Sequence, residues 1–222
     1  LNQQITSKEK ILKKVRAALT FKVKSGFQNI DFESNVFVQP TEDSLVEAFA
    51  KNFTATQAQF VFCGNQFDCI DKLLDLMELK KWKALHCKDS ALEAMLKDAG
   101  ITLVTQLNKS DKIPVAVTGC ESIIARTGSI LFSSANTRTN IIWPKEHVVI
   151  AKLSQLVPDI KDAMQMLKNR HGRNFPSSIT FVTGPSKTLK LPADAAIFPV
   201  TTIGALGPHA LYLFLIDDTK KF

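Results

Sequence analysis

Ala58-Gln-Phe-Val-Phe-Cys63, Phe67-Asp-Cys-Ile-Asp-Lys-Leu-Leu-Asp-Leu-Met-Glu-Leu79 and Lys83-Ala-Leu-His-Cys87 decide the fold, because the apolar period changes along them. The first and third read as strands. The second places Ile70, Leu73, Leu74 and Met77 at i, i+3, i+4 and i+7, which predicts a helix with one buried stripe. Ser90-Ala-Leu-Glu93 then forms a capping box that opens a second helix ending at Gly100. Ile101 to Thr105 and Val115 to Thr118 read as further strands. Strands alternating with helices in this way predict a mainly parallel α/β sheet covered by helices on both faces.

Beyond Thr118 the predicted strands crowd together, at Ser129 to Ser133, Val148 to Lys152, Ile179 to Thr183 and Leu211 to Ile216. One helix separates them, Pro158 to Asn169, with Ile160, Ala163, Met164 and Leu167 inward. Val148-Val-Ile150 and Phe181-Val182 have the continuous apolar character of strands buried on both faces. Upstream, Thr6-Ser-Lys-Glu9 is a capping box for a helix from Ser7 to Ala18, and Glu42 to Asn52 carries Leu45, Val46 and Phe49 on one face. Residues 20–40 show no period. The expected organisation is an N-terminal helix and linker arm over 1–40 and an α/β domain over 41–222.

The 222 residues are 45% hydrophobic and 22% charged, the balance of a globular protein with a core that needs no disulfide or metal staple. No run of about 18 apolar residues and no basic-then-apolar leader is present. No membrane span is therefore expected, and a cytoplasmic location is. The net charge of +7 is concentrated on the first helix (Lys8, Lys10, Lys13, Lys14, Arg16) and at Lys220 and Lys221. Such charges fit a solvated face better than a phosphate-tracking surface, and one Tyr and two Trp offer little base stacking, so nucleic acid is the weaker alternative. Cys63, Cys69, Cys87 and Cys120 lack the clustered spacing of an iron–sulfur or structural zinc site and read as buried thiols.

Four polar motifs interrupt the apolar segments of the C-terminal half. In Thr118-Gly-Cys-Glu-Ser-Ile-Ile-Ala-Arg-Thr-Gly-Ser129, a strand ends at Gly119, and a short helical segment carrying Glu121 and Ile124 is expected. Thr127-Gly128 then turns into the next strand. Glu121 either caps that turn or serves as an acid/base or ligand anchor. In Pro144-Lys-Glu-His147, His147 at a strand mouth is either a proton carrier or ligand contact, or a histidine satisfied by the backbone. Thr183-Gly-Pro-Ser-Lys-Thr188 exposes backbone N–H groups beside the Ser186, Lys187 and Thr188 side chains, which suits a phosphate or carboxylate but also an ordinary loop. Gly204-Ala-Leu-Gly-Pro208 lets the chain at Gly207 approach a ligand or simply turn into the last strand.

Taken in order, these four motifs resemble the lactate-utilisation (LUD-domain) family, and within it the lactate utilisation protein C type, which lacks iron–sulfur ligands. The resemblance implies the α/β architecture shared by glucosamine-6-phosphate deaminase, ribose-5-phosphate isomerase and CoA-transferase domains, a NagB/RpiA/CoA-transferase-like fold. It implies an accessory or ligand-binding subunit of a bacterial system oxidising L-lactate to pyruvate. Iron–sulfur clusters are then expected only in partner subunits, with no cofactor or metal in this chain. It also tips Glu121 toward a site role; Glu121 and His147 are the catalytic candidates, and Thr127, Gly128, Gly184, Pro185, Ser186, Lys187, Thr188 and Gly207 the ligand-binding candidates. The alternative is a stand-alone enzyme acting on a small phosphorylated or carboxylate metabolite, with Glu121 as its acid/base. The chain departs from the family pattern after Thr188. Leu189-Lys-Leu-Pro192 follows where Thr-Ala-Asp-Ile-Glu is usual, Ala193-Asp194 is displaced, and Leu206 stands where a second His is expected.

Overall fold

A computed structural model describes residues 7–20, 44–104, 115–134, 144–185 and 207–219. The predicted 20–40 linker beyond Thr20, the Ser186, Lys187 and Thr188 side of the Gly-Pro turn, and the atypical 189–203 segment lie outside the described residues. The chain divides into two units, Leu1–Gln39 and Pro40–Phe222. The first contains helix α1, Ser7–Thr20, with Ile11, Leu12 and Val15 exposed.

The second unit begins with α2 (Leu45–Ala55), β1 (Gln59–Cys63), α3 (Gln66–Lys80), β2 (Leu85–Cys87), α4 (Ser90–Asp98) and β3 (Leu103–Val104). It continues with β4 (Val115–Thr118), β5 (Ser122–Ile124), β6 (Ser129–Ser133) and β7 (Glu146–Lys152). A 3-10 turn at Leu153–Gln155, β8 (Leu156–Val157), α5 (Ile160–His171), β9 (Ile179–Val182) and β10 (Ala210–Ile216) complete it. The five longer predicted helices form, with ends shifted by a few residues. Asp89, one residue ahead of the predicted box, is the N-cap of α4: its carboxylate accepts the backbone N–H groups of Ala91 and Leu92.

Six strands build an all-parallel sheet in the order β1-β10-β7-β4-β2-β3. The unbroken apolar runs of β7 and β10 follow from their central places in it, because both faces are covered. On one face Val148, Ile150, Tyr212 and Phe214 meet Cys69 and Leu73 of α3 and Leu96 of α4. On the other, Val149, Ala151, Leu211, Leu213 and Leu215 meet Phe49 and Phe53 of α2, and Ile123, Ile130 and Phe132 of a second sheet. Phe49 and Phe53 stack at 5.2 Å and are fully buried, each contributing about 1.5–3 kcal/mol of hydrophobic stabilisation. Helices thus cover one face, while the other is shared between a helix and a small sheet.

That small sheet has the order β8-β5-β6-β9, with β5–β6 and β6–β9 antiparallel. Its far side, at Ile124 and Leu131, packs on Ala163 and Leu167 of α5. Two expectations change here. Ser122 to Ile124 is a strand rather than a helical turn, because Ile123 and Ile124 bury toward opposite sides of a sandwiched sheet. Phe181-Val182 is not buried on both faces: β9 is an edge strand, and Phe181 is 42% exposed.

Candidate functional site

Glu121 lies at the bend between β4 and β5, with its side chain only 3% exposed. Both carboxylate oxygens are occupied. Oε1 accepts from the Ser133 hydroxyl at 2.6 Å and faces His171 Nε2 at 3.0 Å, and Oε2 accepts from Arg170 Nη1 at 2.6 Å. Arg170 Nη1 also reaches the Glu121 backbone carbonyl, and the Glu121 N–H donates to Leu131 O. Burial alone would raise this carboxyl, but the Ser133, Arg170 and His171 bonds outweigh it and hold it below its ordinary value. A carboxylate so held is a poor proton acceptor. What it does is tie the end of α5 to the β5–β6 hairpin.

His147 is the second residue of β7 and fully buried between the two sheets. Its Nε2 lies 2.8 Å from the Thr118 hydroxyl, and its ring stacks on Phe132 at 5.7 Å. Nδ1 has no hydrogen-bond partner among the described residues. Burial pushes the imidazole down to about 3, so it is neutral at physiological pH.

The glycines of the predicted turns are explained by close chain approach. Gly128 has φ +58°, and a Cβ there would stand 2.5 Å from Phe53 N and 2.6 Å from Asn52 C, at the end of α2. A Cβ on Gly184 would come within 2.7 Å of Thr56. The Ser129 and Thr183 hydroxyls bond at 2.9 Å, and Asn52 donates to the carbonyls of Ala125 and Arg126. Thr127, Gly128, Gly184 and Pro185 are therefore gathered around the end of α2, apart from Glu121 and from His147. Gly207 precedes the amino end of β10, where His209 N–H donates to Lys145 O.

The opposite, carboxyl edge of the parallel sheet holds a cleft of about 440 Å³. Its wall residues include Gly119 and Cys120 after β4, Ile150 and Lys152 of β7, and Ile216 of β10. Gln66 at the start of α3, and Asp89, Leu92 and Met95 at and within α4, close it from the helical side, with Gln155 and Arg170 also at its wall. The position follows from topology. The chain leaves β2 through α4 on one face toward β3, and leaves the neighbouring β4 through the small sheet on the other face toward β7. Connections that diverge from adjacent parallel strands open a crevice beyond their carboxyl ends. Gln155 braces this edge, accepting from Lys152 N–H at 2.8 Å and donating to Cys120 O at 2.6 Å.

Of the sequence-predicted residues that are described none lines this cleft, although Glu121 orients Arg170, which does. Sequence reading missed Gln66, Asp89, Lys152 and Arg170. Asp89 alone carried a local signal, a carboxylate directly after a strand and before a helix. Among the described residues no cluster of His, Cys, Asp and Glu could hold a metal, and no helix is long and apolar enough to cross a membrane.

A parallel α/β domain with a cleft at its carboxyl edge is a ligand-binding class of fold. Comparison with known proteins narrows the class. The model of the LUD domain matches residues 46–216, and the chain belongs to that family. It is similar to Lactate utilization protein C of Bacillus subtilis (strain 168), at 26% identity over 116 residues covering 50% of this chain and 46% of that protein. It is similar also to Lactate utilization protein C of Oceanobacillus iheyensis, at 22% identity over 197 residues covering 80% and 82%. The chain spans about half the length of the first of these relatives. The crystal structure of a DUF162 family protein from Deinococcus radiodurans shares the fold, with TM-score 0.58 and 15% identity over 78% of this chain and 96% of that one.

Proposed function

We propose that this chain is a non-redox, ligand-binding component of a lactate-utilisation system, working beside partner subunits that carry the iron–sulfur chemistry. The observation that carries this reading is the family match together with relatives that bear the name Lactate utilization protein C. The four scattered cysteines support it, since the chain lacks the clustered thiolates that a cluster of its own would call for. Its contribution is then to hold a small organic anion in the carboxyl-edge cleft. The competing reading, a stand-alone enzyme using Glu121 as acid/base, is disfavoured by the occupation of both Glu121 oxygens.

Anaerobic affinity purification of the tagged protein from native cells grown on lactate tests this proposal. Co-purification of cysteine-rich iron–sulfur subunits with lactate-oxidising activity is the expected result. Recovery of the chain alone, in cells that are oxidising lactate, would contradict it.

A further inference from the structure

The cleft is large for a three-carbon acid. At roughly 30 Å³ for each water, its volume of about 440 Å³ corresponds to about fifteen waters, several times what lactate or pyruvate would displace. Its walls are also chemically divided. Leu92, Met95, Ile150 and Ile216 supply apolar surface. Lys152 extends from the last residue of β7, and its ammonium forms no ion pair among the described residues, although behind the Ser154 hydrogen bonds its charge helps hold the Asp218 carboxyl below its ordinary value. Asp89 uses Oδ1 to cap α4. Its Oδ2 sits 3.2 Å from where a Cβ on Gly119 would stand, and has no hydrogen-bond partner among the described residues.

An ammonium outside any ion pair and a carboxylate oxygen outside any hydrogen bond, among the described residues, thus line one cleft without bonding each other. A ligand carrying only an anionic group would answer the lysine and leave the carboxylate facing it, which disfavours binding. A ligand with an anionic end and hydroxyl donors answers both.

We propose that this cleft binds a phosphate ester of a polyhydroxylated body, of nucleoside monophosphate size, with phosphate at Lys152 and Arg170, hydroxyls at Asp89 and the remainder on the apolar wall. Phosphate suits the lysine as a compact charge and the guanidinium through the N–H groups that Glu121, which holds Nη1, does not use. The inference rests on the cleft being the ligand site, and is independent of membership in a lactate system.

Isothermal titration of the purified chain with adenosine monophosphate, its 2′,3′-dideoxy analogue, glucose 6-phosphate, inorganic phosphate and L-lactate tests it. At least one of the two phosphorylated polyols should bind ten-fold or more tightly than phosphate or lactate. Adenosine monophosphate ahead of glucose 6-phosphate identifies a nucleotide, and the reverse a sugar phosphate. Lys152→Ala should weaken that binding about ten-fold. Asp89→Asn keeps an Oδ1 acceptor for the helix cap and should weaken the polyol esters, while inorganic phosphate, relieved of the facing carboxylate, binds more tightly. If the ester is a nucleotide, Asp89→Asn should also abolish the preference over the dideoxy analogue. The proposal is overturned if lactate or inorganic phosphate binds as tightly as the tighter of the two esters, if neither ester binds, or if both variants bind like the wild type. Failure here with a positive affinity purification would leave the lactate-system reading standing and remove only the ligand class.

Discussion

Two polar regions of this domain lie side by side and differ in one respect: whether their hydrogen-bonding capacity is used. Under α5, Glu121 meets Ser133, Arg170 and His171, so a buried charge is answered on both oxygens. At the carboxyl edge of the parallel sheet, Lys152 lines a cleft without an ion pair and Asp89 Oδ2 without a hydrogen bond among the described residues. A saturated buried carboxylate behaves as framework, since removing it strands its donors. Uncommitted groups in a concave place are where a ligand gains most. Arg170 joins the two regions, fixed by the first and facing the second.

The comparison can be broken by substitution. The largest effect should come from Gly128→Ala, which puts a Cβ against the backbone of Asn52 and Phe53 at a positive φ. A loss of about 3–5 kcal/mol is expected, combining strain of about 1–3 kcal/mol with a clash that no side-chain rotation relieves. Chemical denaturation reads it as a lower midpoint at constant slope. Glu121→Ala should follow, at about 3 kcal/mol for taking the charged acceptor away from the buried Ser133 hydroxyl and the partly exposed Arg170 and His171. For a domain of this size that is a melting temperature lower by roughly 6–12 °C.

The pH dependence sharpens the contrast between neutral and charged burial. His147 is held at about 3 in the folded protein against an ordinary 6.5, so between these values the unfolded chain binds the extra proton. Its contribution to stability is full above pH 6.5 and is lost progressively as pH falls toward 3. The Glu121 contribution has the same sign lower down, present above the ordinary carboxyl value of 4.5 and lost as pH falls through its depressed folded value. Melting temperatures of wild type and His147→Gln should converge as pH is lowered from 7 to 4. Parallel profiles would show that the imidazole is not buried neutral. The smallest stability effect should be that of Lys152→Ala, within about 0.5 kcal/mol, as for an exposed side chain in no ion pair among the described residues.

Much of the fold was legible because periodicity reports burial directly. Ile70, Leu73, Leu74 and Met77 announced α3, and the unbroken Val148-Val-Ile150 run announced a central parallel strand. β5 was not legible: three residues are too few to show a period, and Ile123 and Ile124 both meet apolar surroundings. Phe181 misled for a related reason, since an apolar pair reads alike in a central strand and at an edge. Among the motifs, the need for Gly128 and Gly184 was visible, but what approaches them was not. Thr56 and Asn52 are over 70 residues away in sequence or more and made no mark on the turns. The cleft was invisible because Gln66, Asp89, Lys152 and Arg170 each read locally as a cap or a surface charge, and only the divergence of β2 and β4 connections brings them together.

The most direct test of the division between framework and site is the melting temperature of Glu121→Gln beside Lys152→Ala at neutral pH. The division predicts that Glu121→Gln, which loses the buried charge and one strong acceptor, melts several degrees below the wild type, and that Lys152→Ala melts with it. A Glu121→Gln protein as stable as the wild type or more so would be the behaviour of a functional carboxylate held against stability, and would contradict the account.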